Sequence, residues 1–308
     1  MATPNVPEAW VGGSTFAETF GLRANLFTAY QSFAARVWET ESPGPSVLEA
    51  CRLRTADVLG VGDGSSRAAS GPCIDFAEQF VIDPAGIGRA GARAVKEACG
   101  FEGLIALVNA MAAFDGFTRF AMVLGCGLPG GGDSAADIPS PSGPTASAGE
   151  AVANSPLASQ PALLAAFERL YAVLWSEGVV DHPSKEVARL RNARVTNCAY
   201  CRSVRFSQAR ADGLTEDLVD LIADGFEASA LTERHKAVIR LANAFLRDPL
   251  GGVEPPLRAD LLGAYGPAGV VELTAGLALF MGFSKITVAL GGPTDELPVQ
   301  VVETPALS

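Results

Sequence analysis

Histidine is almost missing from this chain of 308 residues: there are only two, His182 and His235. Zinc usually takes four nitrogen or sulfur ligands. With two histidines and a single Cys-x2-Cys, at Cys198 and Cys201, the chain offers at most half a zinc site, and no metal is expected. Positive charge is scarce as well. Lys and Arg number 23 against 34 Asp and Glu, a net charge of −11. This balance argues against the basic footprint that nucleic acid binding needs. Long uninterrupted apolar runs are also lacking. The most apolar stretch, Val270 to Leu290, is broken by Glu272 and Lys285. The uncharged interval 273–284 is shorter than the ~20 residues of a spanning helix, so it reads as a buried core helix and no membrane partner is expected. The run MATPNVPEAWVGG has no basic segment followed by an apolar one, so it does not read as an export signal. Six cysteines in a chain of this length, without such a signal, do not read as a disulfide framework. A reducing, cytoplasmic setting is the expectation.

What is present is apolar mass and an internal echo. Hydrophobic residues make up 48% and charged residues 19%, enough for a sizeable core. The length suggests two domains or one duplicated unit. Residues 127–160 are dominated by Gly, Pro, Ser and Ala and read as a linker. It separates 1–126 from 161–308. Leu26–Leu59 aligns with Leu163–Thr196 without a gap, with identities that include Trp38/Trp175, Glu49/Glu186 and the Arg-Leu-Arg runs at 52–54 and 189–191. A second block pairs Ile74, Ala77, Phe80, Asp83, Pro84 and Gly86 with Ile239, Ala242, Phe245, Asp248, Pro249 and Gly251. A third pairs Phe114–Gly125 with Phe280–Gly291. Three blocks in the same order predict an internal duplication. Between the first and second blocks the later copy carries extra residues, just after Cys198. Val61 and Gly64 stand in the first copy where Cys198 and Cys201 stand in the second, so the first copy has lost the cysteine chemistry.

The patterning is helical. In Leu163–Trp175 the apolar residues fall at i, i+3 and i+4. Thr215-Glu216 and Thr232-Glu233 read as helix starts, and Asp248-Pro249 followed by Gly251-Gly252 as a stop. Alternating strand patterns are scarce. The expected fold class is all-α, two bundle-like repeats of five to six helices each.

The segment Thr196-Asn197-Cys198-Ala199-Tyr200-Cys201 carries the chemistry. Two cysteines three apart on a helix share a face. Thr196 or Asn197 would cap that helix and place Cys198 in its first turn, where free N–H groups favour a thiolate. Arg205 would lie one turn beyond Cys201 on the same face, a cation that lowers the thiol pKa further. This suits a dithiol that cycles to a disulfide, with half a zinc site or two inert buried cysteines as the alternatives. Glu186, on the preceding helix, would approach Arg205 after the chain turns. It reads either as a proton acceptor or as half of an ion pair that fixes packing. The other four cysteines read as core residues, and His182 and His235 as surface or helix-end residues. A substrate pocket built from Leu170, Tyr171, Phe206 and the Phe280–Phe283 segment would suit an apolar hydroperoxide.

Glu186-x11-Cys198-Ala-Tyr-Cys201, with Gly213-Leu-Thr-Glu216, the Arg240-Leu-Ala helix and Gly282-Phe-Ser-Lys285, resembles the signature of the alkylhydroperoxidase AhpD / carboxymuconolactone decarboxylase superfamily. The resemblance is good over 160–292 and weaker over 20–126. It implies tandem AhpD-like repeats forming a pseudo-twofold helical bundle, usually in a homo-oligomer, with no metal or organic cofactor. It implies peroxidase and disulfide-reductase activity on a small hydroperoxide, sustained by a thiol reductant protein. By position it makes Cys201 the peroxide-attacking thiol, Cys198 the resolving thiol and Glu186 the start of a proton relay. Arg205 and Tyr200 stand where AhpD has histidines, and arginine holds charge without shuttling a proton. Two other functions stay open: a non-redox lyase or isomerase of the decarboxylase branch, which lacks the cysteine pair, and a non-catalytic redox-sensing oligomer.

Overall fold

The structure, a computed structural model, describes residues 8–131, 156–293 and 295–307. Most of the expected linker, 132–155, lies outside the described residues.

Helices dominate, in two runs of similar order. The first run is α1 (Phe16–Phe20), α2 (Ala24–Trp38), α3 (Pro45–Val58), α4 (Pro72–Ile82) and α5 (Gly88–Leu124). The second is α6 (Pro161–Ser176), α7 (His182–Val195), α8 (Ala199–Ser203), β1 (Val204–Phe206), α9 (Ser207–Ala211), α10 (Glu216–Asp220), α11 (Glu233–Arg247), α12 (Pro255–Ala289) and β2 (Gln300–Val302). The extra residues that the alignment places after Cys198 are α8, β1, α9 and α10. The first run has only a loop and a 3-10 turn there (Ser65–Ala68).

Local chemistry sets the helix ends. Asp181 caps α7 by accepting from Ser184 N at 2.8 Å, and Thr232 caps α11 by accepting from His235 N at 3.2 Å. Thr215 caps α10, a single turn rather than the longer helix its sequence suggests. Each long helix is kinked at a glycine. Gly100 in α5 (φ 78°, ψ 174°) and Gly266 in α12 (φ 64°, ψ 173°) have matching backbones that an L side chain would strain. Pro267 follows the second kink.

The two runs share one core along α5 and α12. Gly116 and Gly282 let these helices approach closely. A Cβ on Gly116 would lie 2.8 Å from the Ala278 carbonyl, and one on Gly282 would lie 2.8 Å from Ala112 Cβ. The arrangement is reciprocal in charge too. Arg119 of α5 donates to the Phe245 and Leu246 carbonyls at the end of α11 (3.2 and 3.0 Å). Lys285 of α12 donates to the Phe80 and Val81 carbonyls at the end of α4 (3.0 and 2.9 Å). Each cation thus caps the negative end of a helix in the opposite run. Asp115, fully buried, holds both, at 2.7 Å from Arg119 and 2.6 Å from Lys285. Burial alone would raise the Asp115 carboxyl, but the two cations hold it below its ordinary range.

Val270–Leu290 is core, as expected. α12 is long and apolar enough to cross a membrane, but its apolar window is 78% buried inside the protein. The all-α expectation needs one amendment. Val204–Phe206 pairs in parallel with Gln300–Val302, Arg205 opposite Val301. A three-residue strand is too short to show alternation in the sequence.

Candidate functional site

Cys198 and Cys201 are joined in a disulfide, their Cα atoms 5.3 Å apart. Their closeness comes from a cap rather than from two positions within a helix. Thr196 closes α7, and Asn197 (φ 52°) reverses the chain, a left-handed conformation that Asn tolerates better than most residues. Cys198 is itself the cap of α8, its Sγ accepting from Cys201 N at 3.2 Å. The expectation that Thr196 or Asn197 would cap this helix is therefore corrected. The pair is nearly enclosed, Cys198 1% and Cys201 5% exposed, with Tyr200, Phe283 and Val288 packed around it.

A polar chain reaches Cys201 from behind. Ser284 of α12 donates its hydroxyl to Cys201 Sγ at 3.3 Å, and Asn192 of α7 donates from Nδ2 to Ser284 Oγ at 3.0 Å. Asn192 is fully buried, and among the described residues its Oδ1 has no hydrogen-bond partner. Sequence reasoning missed both residues. Ser284 sits inside the Gly-Phe-Ser-Lys run; the sequence carries no such signal for Asn192.

Glu186 does not reach Arg205. It forms a buried bidentate pair with Arg189, one turn along α7, at 2.6 and 2.7 Å, and accepts from Phe206 N at 3.3 Å. Arg189 then donates to the carbonyls of Cys201 and Val204 at 2.8 and 2.6 Å. The pair clamps the far end of α8 to α7. Glu49 and Arg52 form the same pair in the first run, at 2.6 and 2.8 Å. Arg189 is a third residue that sequence reasoning left unassigned, although its i+3 spacing from Glu186 was visible.

Arg205 is likewise displaced from its expected place. α8 ends at Ser203, so Arg205 lies on β1 and not on the face of Cys201. Its guanidinium meets Glu216 (3.1 Å) and the carbonyls of Arg202 and Val204 (2.6 and 3.0 Å). The side chains expected to wall an apolar pocket are instead packed against one another. Leu170, Phe206 and Phe280 are buried core, with Trp175 against Phe206 at 4.7 Å between ring centroids. His182 opens α7 and stacks on Trp175, and His235 lies in the first turn of α11. Among the described residues the cysteine sulfurs accept from Cys201 N and Ser284, and from neither histidine. Among the described residues no three His, Cys, Asp or Glu side chains converge as a metal site would require.

The other cysteines are poor nucleophiles. Burial pushes the thiols of Cys51 and Cys73 up to about 12, and that of Cys126 up to about 11. Cys99 is half-buried and shifted the same way, again by burial.

Residues 161–244, which include Cys198, Cys201, Glu186 and Arg205, match the carboxymuconolactone decarboxylase family. Neither a curated protein nor a solved structure matches the chain.

Proposed function

We propose that this protein is a thiol-dependent peroxidase and disulfide oxidoreductase that works through a Cys198/Cys201 dithiol–disulfide cycle. The observation that carries this reading is the pair itself. The two sulfurs lie within bonding reach in a domain of this family, and each accepts a hydrogen bond that stabilises a thiolate. In the cycle the Cys201 thiolate attacks the distal oxygen of a hydroperoxide. The O–O bond breaks, the alkoxide takes a proton and leaves as the alcohol, and Cys201 becomes a sulfenic acid. The Cys198 sulfur then attacks Cys201, water leaves, and the disulfide forms. An external dithiol reduces it to close the cycle.

Ser284 and Asn192 act as positioning residues for Cys201. Glu186 acts through Arg189, whose bonds to the Cys201 and Val204 carbonyls fix the short helix. Arg205 steadies the turn from α8 into β1 and makes only a modest contribution to thiol acidity. We propose further that the chain is a tandem duplication, 1–126 and 161–308, joined through 127–160. The matched kinks at Gly100 and Gly266, the paired glycines at 116 and 282, and the exchanged caps of Arg119 and Lys285 support that history.

The test is hydroperoxide consumption by the reduced protein, with mass mapping of its cysteines. Cys201→Ser is expected to abolish consumption. Cys198→Ser is expected to leave a Cys201 sulfenic acid that dimedone traps. A trapped sulfenic acid on Cys198 in the Cys201→Ser protein would reverse the roles. No consumption by the wild type would end the peroxidase reading.

A further inference from the structure

The largest cavity described, about 880 Å³, lies between the two runs and not within either. The α4–α5 corner of the first run forms one side. The other side is Thr196 and Asn197, directly before Cys198, together with the end of α12. Val288 lines this cavity and also packs against the cysteine pair. Val288 therefore touches both the space and the cluster that holds the disulfide.

The charge of the cavity opposes that of the chain. Arg89, Arg93 and Lys96 line it from successive turns of α5 and are exposed. Among the described residues none of them has an ion pair; Lys96 lies 5.7 Å from the Phe101 ring centroid. Arg119 and Lys285, both more than nine-tenths buried, form part of the lining with only Asp115 between them. Among the described residues Asp83 is the one carboxylate in the lining, and it already accepts from Ala85 N. Among the described residues five cations meet two acids, Asp83 in the lining and Asp115 behind it, and this excess in a chain of net −11 focuses a positive potential into a recess. The walls are apolar. Ile82 and Phe101 are 64% and 43% exposed, among the most exposed large apolar side chains described, and both face this space.

The three exposed cations have no charged counterpart in the second run. Counted back from their kinks, Arg89, Arg93 and Lys96 of α5 correspond to Pro255, Ala259 and Leu262 of α12. The place of Asn197 is taken in the first run by Gly60. Arg89, Arg93 and Lys96 therefore occur only on the side that faces the cysteine loop, and they lie outside residues 161–244.

We infer that this cavity binds an amphipathic organic anion, an alkyl-chain carboxylate. Its head lies on Arg89, Arg93 and Lys96, and its chain runs along Ile82 and Phe101 towards Asn197 and Val288. The run without cysteines thus supplies the specificity of the run that has them. As a statement about substrate, a hydroperoxide bearing a carboxylate, this rests on the proposed function; as a statement about binding, it does not.

The test is calorimetry on the full chain with dodecanoate, below its micellar concentration, and with dodecanol and acetate as controls. Dodecanoate is expected to bind one-to-one, at least tenfold more tightly than dodecanol, and acetate not measurably. Reversing the three surface charges together (Arg89→Glu, Arg93→Glu, Lys96→Glu) is expected to weaken dodecanoate binding at least tenfold, with an unchanged thermal midpoint. Arg93→Ala alone is expected to weaken it severalfold. Equal binding of dodecanol, or undiminished dodecanoate binding by both variants, would overturn the inference, as would no binding by the wild type. The same titration on the Cys198→Ser, Cys201→Ser double variant is expected to be unchanged. Binding without turnover would sink the peroxidase reading alone. Turnover of tert-butyl hydroperoxide without dodecanoate binding would sink this one alone.

Discussion

At the scale of single residues the cysteines divide by their surroundings. Cys198 and Cys201 each accept a hydrogen bond at sulfur, whereas Cys51, Cys73 and Cys126 are held as thiols by burial. A thiol with a pKa near 12 is about one part in ten thousand thiolate at pH 8, and the fraction grows tenfold per pH unit. Iodoacetamide at pH 8 should therefore label the reduced, folded protein at Cys198 and Cys201 first. Labelling of Cys51 and Cys73 should climb steadily as pH rises towards 12. Peptide mass mapping across pH checks both. A hydrogen bond to a charged group contributes roughly 1.5–3 kcal/mol, and 1.36 kcal/mol is one pKa unit. Ser284→Ala should therefore raise the Cys201 pKa by about one unit and slow its alkylation at pH 7. For Arg205→Ala, the guanidinium bonds to Glu216 and to backbone carbonyls, so the alkylation curve should stay within ~0.5 unit of wild type.

At the scale of elements, the crossing of α5 and α12 leaves no room. Gly116→Val or Gly282→Val places branched carbons where Ala278 and Ala112 already lie, and each should cost about 1–3 kcal/mol in denaturant midpoint experiments. Helix periodicity placed α6, the Thr232 start and the Asp248-Pro249 stop placed α11, and the apolar run from Val270 placed the buried part of α12, because burial of one helical face repeats with the turn. The helix after Cys198 was misjudged because nothing in Cys-Ala-Tyr-Cys-Arg-Ser announces a stop at Ser203. The stop comes from outside the segment: Arg189 takes the Cys201 and Val204 carbonyls, and Gln300–Val302 takes up the strand. That one early ending removes Arg205 from the cysteine face and leaves Glu186 to Arg189. Contacts made across more than ninety residues, such as Asn192 with Ser284, have no local signature.

At the scale of the whole molecule, Asp115 is the charge on which both runs depend. Removing one partner of a buried ion pair typically costs 3–5 kcal/mol. Asp115→Asn strips the carboxylate from two buried cations at once and should cost about that much, measured by urea unfolding followed by far-ultraviolet dichroism. Residues 155–308 alone should aggregate or re-associate, because the α12 face that meets α5 is apolar. Light scattering of that fragment checks it, and a soluble active monomer would contradict it.

The exchanged caps also bear on how the molecule opens. Lys285 leaves the ends of α4 when α12 moves, and Arg119 leaves the ends of α11 when α5 moves. Neither run can fray at these helix ends while the other stays closed. Amide protons near the ends of α4 and α11 should therefore exchange with solvent deuterium in a single concerted step, with one opening free energy. Two distinct protection levels, one for each run, would show instead that the runs breathe independently.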